Sequence, residues 1–293
     1  MKLNYGKSEI GIQTFIVIAL VFVGIICLYP FVYVLSMSIS NPMRIVKETL
    51  WLLPKGFSTL AYQKVFESPQ VWRSYYNTVW YAVIGTSINV VLTVMLAYPL
   101  SRKDFRMRHK IMFLVTFTML FSGGLIPRYI VVNKIGIYGT RLALILPTAI
   151  TAWNMIIART FFQGLPDSLA ESAKLDGAND ITILRRIIIP ISQAIIAVLT
   201  IFYAVFHWNS FFPALIYLPD GKLHPLQLFL IKLLIQNDTA NLEDTIDEAV
   251  DKLFVAQQLK YSAIIVSVLP IITIYPFLQK YFVRGVMIGA IKG

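Results

Sequence analysis

Long runs without a single charge constrain this chain more than any other feature. Gly11 to Met43 carries no Asp, Glu, Lys or Arg, and neither does Ser74 to Ser101. Ile111 to Pro127, Leu142 to Ala158 and Tyr261 to Gln279 are shorter and also uncharged, and Ile187 to Pro219 holds only His207. In hydrocarbon every backbone N–H and C=O must be satisfied within the protein, so such runs cross a bilayer as helices or as strands of a closed barrel. Barrel strands alternate with period two over about ten residues. "FIVIALVFVGIICLYPFVYVLSMSI" is apolar on every face, which selects the helix.

Composition points the same way. Hydrophobic residues make up 57% of the 293 and charged residues 14%, with a mean hydropathy of +0.69. Roughly a quarter of a soluble domain is charged, so this chain lacks the charge to cover a water-facing surface. A span takes about 20 mostly apolar residues, fewer where flanking bases reach the interface, as Arg141 and Arg159 can around the fourth run. The runs predict an all-α membrane protein with six transmembrane helices in one domain over residues 1–293. The first run is too long for a signal peptide and lacks a small-residue cleavage site. Cys27, the one cysteine, lies inside it, so no disulfide forms within the chain.

The loops give the orientation. With the N-terminus inside, the inside segments are the N-tail, residues 102–110, 159–186 and the C-tail. "RKDFRMRHK" (102–110) is dense in bases, and the C-tail after Gln279 has bases and no acid. The extracytoplasmic loop, about 219–260, is acidic. Cytoplasmic loops collect Lys and Arg, so both termini are placed in the cytoplasm. The net charge of +11 is then a topology signal, and nucleic acid is not an expected partner.

Between the spans, "LLPKGFSTLAYQKVF" reads as a turn at Pro54–Gly56 and a short amphipathic helix. Gly123–Gly124 and Pro127 break the third helix. The outer loop is expected to carry an exposed helix with Ile246, Val250, Leu253 and Phe254 on one side. No phosphate loop and no H-E-x-x-H zinc motif is present. His109, His207 and His224 fall in different segments, and no metal site is expected. No Asp, Glu, Lys or Arg lies deep in a span, which argues against a proton- or sodium-driven pump.

One stretch interrupts the apolar pattern: "ESAKLDGANDITILRRIIIP", residues 171–190. Ser168 and Glu171 have the spacing of a capping box. Gly177 permits a sharp turn, and Asn179 or Asp180 can cap a second short helix. The product is a charged knob between the fourth and fifth spans, within about 164–186. On these residues alone it is equally an ordinary interfacial connector.

Glu171, Ala173, Asp176, Gly177, Ala178, Ile187 and Pro190 resemble the EAA loop of ATP-binding-cassette importer permeases, with Ser172 where the second alanine usually stands. "WNSFFPALIYL" (208–218) and "PFLQKYFVRGVMIGAIKG" (276–293) resemble the shorter six-helix subunit of maltose-type carbohydrate permeases. "FSGGLIPRYIVVNKIGIYGT" (121–140) is similar to a subgroup that imports oligosaccharides, including uronate-containing ones such as alginate fragments. The resemblance implies a type I importer permease fold whose coupling helix, Glu171 to Ala178, docks in a cleft of an ATPase subunit. It also implies a tail, with Gly289, Lys292 and Gly293, reaching between the ATPases. The implied partners are a second, different permease chain, two ATPases, an extracytoplasmic solute-binding protein and an oligosaccharide, in a bacterial inner membrane. ATP and Mg would sit on the ATPases, with no cofactor in this chain.

Sugars need hydrogen-bonding groups and flat apolar faces. Asn89, Trp153, Asn154, Trp208 and Asn209 meet that need inside spans and are the candidate substrate path. Arg128, Lys134 and Arg141 form a basic outer cluster that would attract an acidic sugar. The alternatives are a membrane-embedded enzyme using His207 and a secondary transporter; both would work without an ATPase.

Overall fold

The computed structural model describes residues 7–47, 52–236, 255–274 and 276. Among these the only pairing of extended chain is an isolated bridge, Ser40 to Phe57; the rest of the regular structure is helical. The chain opens with α1 (Lys7–Ile39), α2 (Pro42–Lys47) and α3 (Leu60–Glu67). Next come α4 (Pro69–Trp80) and α5 (Thr86–Ser101), joined without a break by a π-helical turn, Tyr81–Gly85. α6 (Arg108–Leu120), α7 (Leu125–Lys134), α8 (Leu142–Ile145) and α9 (Ala152–Gln163) follow. After them lie α10 (Ser168–Leu175), α11 (Asp180–Ile183), α12 (Ile189–Ile191), α13 (Gln193–Trp208), α14 (Phe212–Tyr217), α15 (Leu226–Gln236) and α16 (Val255–Ile274).

Among the described residues three stretches are long and apolar enough to cross a membrane: Gly11–Ile39, Pro69–Ser101 and Val255–Ile274. Two more qualify as bent pairs, Leu142–Thr148 with Ala152–Gln163 at 52° and Asp180–Ile191 with Gln193–Trp208 at 85°. The remaining expected span is divided. α6 has 13 residues and so measures about 20 Å; the chain is extended at Phe121, and Gly124, at φ 81°, precedes α7. The break thus falls at the glycines. Pro127 adds nothing to it, because it sits in the first turn of α7, where an N–H has no helical carbonyl to meet.

The described residues fall into two compact units, divided after Pro69, Phe229 and Leu269: the first and third stretches form one, the second and the residues from Pro270 the other. In the first, α1 is exposed around its circumference until its last turns, where Ser36, Met37, Ser38 and Ser40 are buried. A helix end leaves carbonyls without helical donors. Here the Gln258 amide of α16 donates to Ser38 (3.2 Å), Ser40 (2.9 Å) and Ser58 (2.9 Å) carbonyls, and Ser262 Oγ donates to Ser38. The expected turn and amphipathic helix are both present: Gly56 has φ 67°, and α3 buries Ala61 and Val65.

In the second unit α5, α9 and α13 pack around Leu100, Met155, Ala158, Leu199 and Tyr203. Ala170, Ala173, Ile183 and Ile188, from the charged knob, belong to the same core. The expected helix near Ile246, Val250, Leu253 and Phe254, and the tail residues Gly289, Lys292 and Gly293, lie outside the described residues.

Candidate functional site

The bend between α8 and α9 frees backbone groups inside a span, and polar side chains from neighbouring helices take them up. Asn89 of α5 donates its amide to the Thr148 carbonyl at 2.6 Å. Tyr203 of α13 accepts from the Thr151 N–H at 3.2 Å and bonds Thr93 Oγ1 at 2.7 Å. Irregular backbone at membrane depth survives only with such partners.

Beside this bend lies a groove of about 890 Å³. Trp153 and Asn154 enter it from the start of α9; Phe202, Tyr203, Phe206 and Asn209 come from α13 and its C-cap. Trp153 is exposed, and so are Phe206 and Asn209. No acid and no Lys or Arg is among the lining residues. Hydroxyl-binding amides beside flat aromatic faces suit a sugar.

Three of the five expected path residues, Trp153, Asn154 and Asn209, therefore meet in one groove. The other two stand apart from it. Asn89 is fully buried, its oxygen 2.9 Å from His207 Nε2. Since its amide nitrogen serves Thr148, that oxygen accepts, and Nε2 carries the proton. Trp208 is buried edge-on against Tyr75. His207 is itself 1% exposed, outside the groove lining and packed over Gly85 of the π turn. Its Nε2 is spent on Asn89 and its ring lies outside the groove lining, so the groove gives the enzyme alternative no histidine. No cluster of metal-ligating side chains occurs among the described residues. The groove aromatics Phe202 and Phe206 and the bend residues Tyr203 and Thr151 were not singled out in the sequence. The i, i+4, i+7 spacing of Phe202, Phe206 and Asn209 was the available signal.

The knob differs from its expected capping and matches its expected turn. Ser168 does not cap. α10 is preceded by Asp167, already helical, and no side chain caps it. The Asp167 carboxylate is engaged elsewhere, by Lys103 at 3.0 Å and Arg102 at 3.4 Å. The Lys103 hydrogen bond and charge, with Arg102 behind them, hold its carboxyl below the usual range. Asn179 is the residue that caps α11, accepting from Thr182 N–H at 2.8 Å. Gly177 has φ 80°; its N–H meets the Lys174 carbonyl, and Ala178 N–H meets that of Ala173. This paired closure is a Schellman motif, and it needs a left-handed residue where Gly177 stands.

Lys174 turns back to Asp104 (3.2 Å) and Asp180 (3.4 Å); the hydrogen bond to Asp104 leads the causes that raise its pKa. Such exposed pairs orient the knob and add little stability. Glu171 and Asp176 have no side-chain partner among the described residues. They stand with Ser172 and Gly177 on the exposed surface, beside Leu175 (90% exposed) and Ile181 (77%). Ala173 is buried and Ala178 partly so, rooting the tip in the core.

Of the three bases expected to cluster, Arg141 has partners of its own. Arg141 donates to Asn77 Oδ1 at 2.9 Å and lies over the Trp80 ring at 4.6 Å. Asn77 in turn donates to the Lys222 and His224 carbonyls. Asn77 thus ties the loop after α14 to α4, with Arg141 bracing it, while Arg128 and Lys134 stay exposed on α7.

Bent helix pairs line a charge-free groove, and an exposed knob grows from the same core. Residues 15–288 match the family described as binding-protein-dependent transport system inner membrane component, and the chain belongs to that family. It is similar to protein LplC of Bacillus subtilis (strain 168), 42% identical over 272 residues, 92% of this chain and 91% of that protein. It is also similar to the polygalacturonan/rhamnogalacturonan transport system permease protein YtcP of the same organism, 39% identical over 275 residues, 92% and 94% of the two chains. A solved structure of a bacterial ABC transporter involved in the import of the acidic polysaccharide alginate contains a chain with 31% identity and a TM-score of 0.86. The match covers 95% of this chain and 99% of that one. The fold is that of a type I ABC importer permease.

Proposed function

We propose that this permease carries oligosaccharides inward, forming half of the path with a second permease chain and drawing its energy from two ATPase subunits. The observation that carries the reading is the shared core: Ala170, Ala173, Ile183 and Ile188 of the knob pack with Met155, Leu199 and Tyr203, beside the groove. Close-packed interiors transmit displacement. A push on the knob therefore reaches the groove helices. The unpartnered acids Glu171 and Asp176, with Leu175 between them, suit an apolar cleft bearing bases on an ATPase. The basic 102–110 segment supports a cytoplasmic side for that surface and for both termini, since cytoplasmic loops collect Lys and Arg. ATP and Mg belong to the ATPases, an external binding protein delivers the sugar, and Trp153, Asn154 and Asn209 line this chain's side of the path. The relative named for polygalacturonan/rhamnogalacturonan transport and the solved importer of the acidic polysaccharide alginate support an oligosaccharide cargo.

Glu171→Lys tests the reading. A reversed charge on an exposed helix changes folding by only about 0.3–1 kcal/mol. The variant is expected in the membrane at normal level, with its ATPase lost on purification or no longer stimulated by loaded binding protein. Normal transport with the ATPase bound would make the knob a connector and remove the support for coupling.

A further inference from the structure

The start of α9 lies at the 52° bend between two helices that are long and apolar enough to cross a membrane only as a pair. A helix that begins there presents N–H groups that no helical carbonyl can reach. Thr151 N–H is taken by Tyr203, but the N–H groups of Ala152, Trp153 and Asn154 have no partner among the described residues. The positive end of the α9 dipole is at the same place. Thr151, Trp153 and Asn154 all line the groove.

Asn154 supplies an independent sign of a ligand. Its residue is 7% exposed, it lines the groove, and its amide has no hydrogen bond among the described residues. Buried amides are ordinarily paired, so one left open toward a groove marks a place for a polar group from outside the chain. Trp153, one residue earlier and 62% exposed, offers a flat apolar face. No acidic side chain among the lining residues opposes an anion.

We infer that the first turn of α9 and the Asn154 amide hold the carboxylate of a sugar acid, with the sugar ring laid on Trp153. The chain then reads a uronate without using a Lys or Arg. This rests on the groove being the sugar path. A carboxylate draws stronger hydrogen bonds from amide and backbone donors than a neutral hydroxyl or ester does. Helix N-termini inside broken spans bind anionic substrate groups by the same physics.

Asn154→Asp is the test. It keeps the shape, and an acid in the first turn of a helix is stabilising, so the protein should fold. It replaces a donor with a charge that repels a carboxylate. Uptake of trigalacturonate by the assembled transporter should fall at least tenfold, and uptake of its methyl ester less than twofold. An external binding protein selects sugars before the membrane does. The same pair is therefore also titrated against the complex in nanodiscs without it, where the same ratio is expected. If Asn154→Asp affects acid and ester alike while Trp153→Ala slows both, the path stands and the carboxylate inference falls. If neither variant changes uptake or binding of either sugar, the groove is not the path and both readings fall.

Discussion

Gly177 separates the effect of a strained turn from the effect of a blocked contact. Its φ of 80° closes the Schellman motif that ends α10, and a Cβ added there meets nothing within 4 Å. Substitution therefore costs only backbone strain, about 1–2 kcal/mol for alanine in the left-handed region. That energy corresponds to roughly a 5–30-fold shift in an equilibrium. It falls on the knob alone, because the core beneath it loses no contact. Asparagine tolerates the left-handed region better than alanine and should lose less. Leucine carries alanine's strain and adds bulk on an exposed tip, so any loss beyond alanine's must arise at the docking surface. ATPase retained on purification should therefore fall in the order Gly177, Gly177→Asn, Gly177→Ala, Gly177→Leu, with membrane insertion unchanged throughout. The assay is quantitative copurification, with transport measured on the same preparations. An Asn variant worse than the Ala variant would refute the backbone argument. Three variants all equal to the parent would refute docking through this turn.

Other predictions concern buried contacts. A Cβ at Gly85 would lie 2.5–2.8 Å from ring atoms of His207, so Gly85→Ala should destabilise by about 1–3 kcal/mol. Adding His207→Ala removes the obstacle, and the double variant should unfold at a higher temperature than additive losses allow; additivity would show that the two do not touch. Gln258→Leu and Gln258→Glu both remove the donors to the Ser38, Ser40 and Ser58 carbonyls, at about 1–3 kcal/mol for each acceptor left buried. Limited proteolysis near residues 52–58 should speed up in both, and unchanged cleavage would mean that the amide does not hold this segment.

Patterns local in the chain were legible without the structure. Charge-free runs dictated membrane helices, because hydrocarbon penalises open backbone wherever it occurs. The Gly123–Gly124 break, the left-handed Gly177 and the Asn179 cap followed from residues next to one another. Contacts between distant residues were not legible in the same way. Asn89 and Asn154 are the same residue type in similar apolar runs, yet Asn89 is locked between Thr148 and His207 while Asn154 is left open to a groove. Arg141 reads as an exposed base until Asn77 and Trp80 are seen to hold it. Asp167 displaced Ser168 at the head of α10, with Lys103 and Arg102 brought to it from another loop. A side chain's propensity is set by its own chemistry and its neighbours in sequence. Whether its donors are spent depends on partners as distant in sequence as His207 is from Asn89, 118 residues, and only the packing of α5, α9 and α13 brings those within about 3 Å.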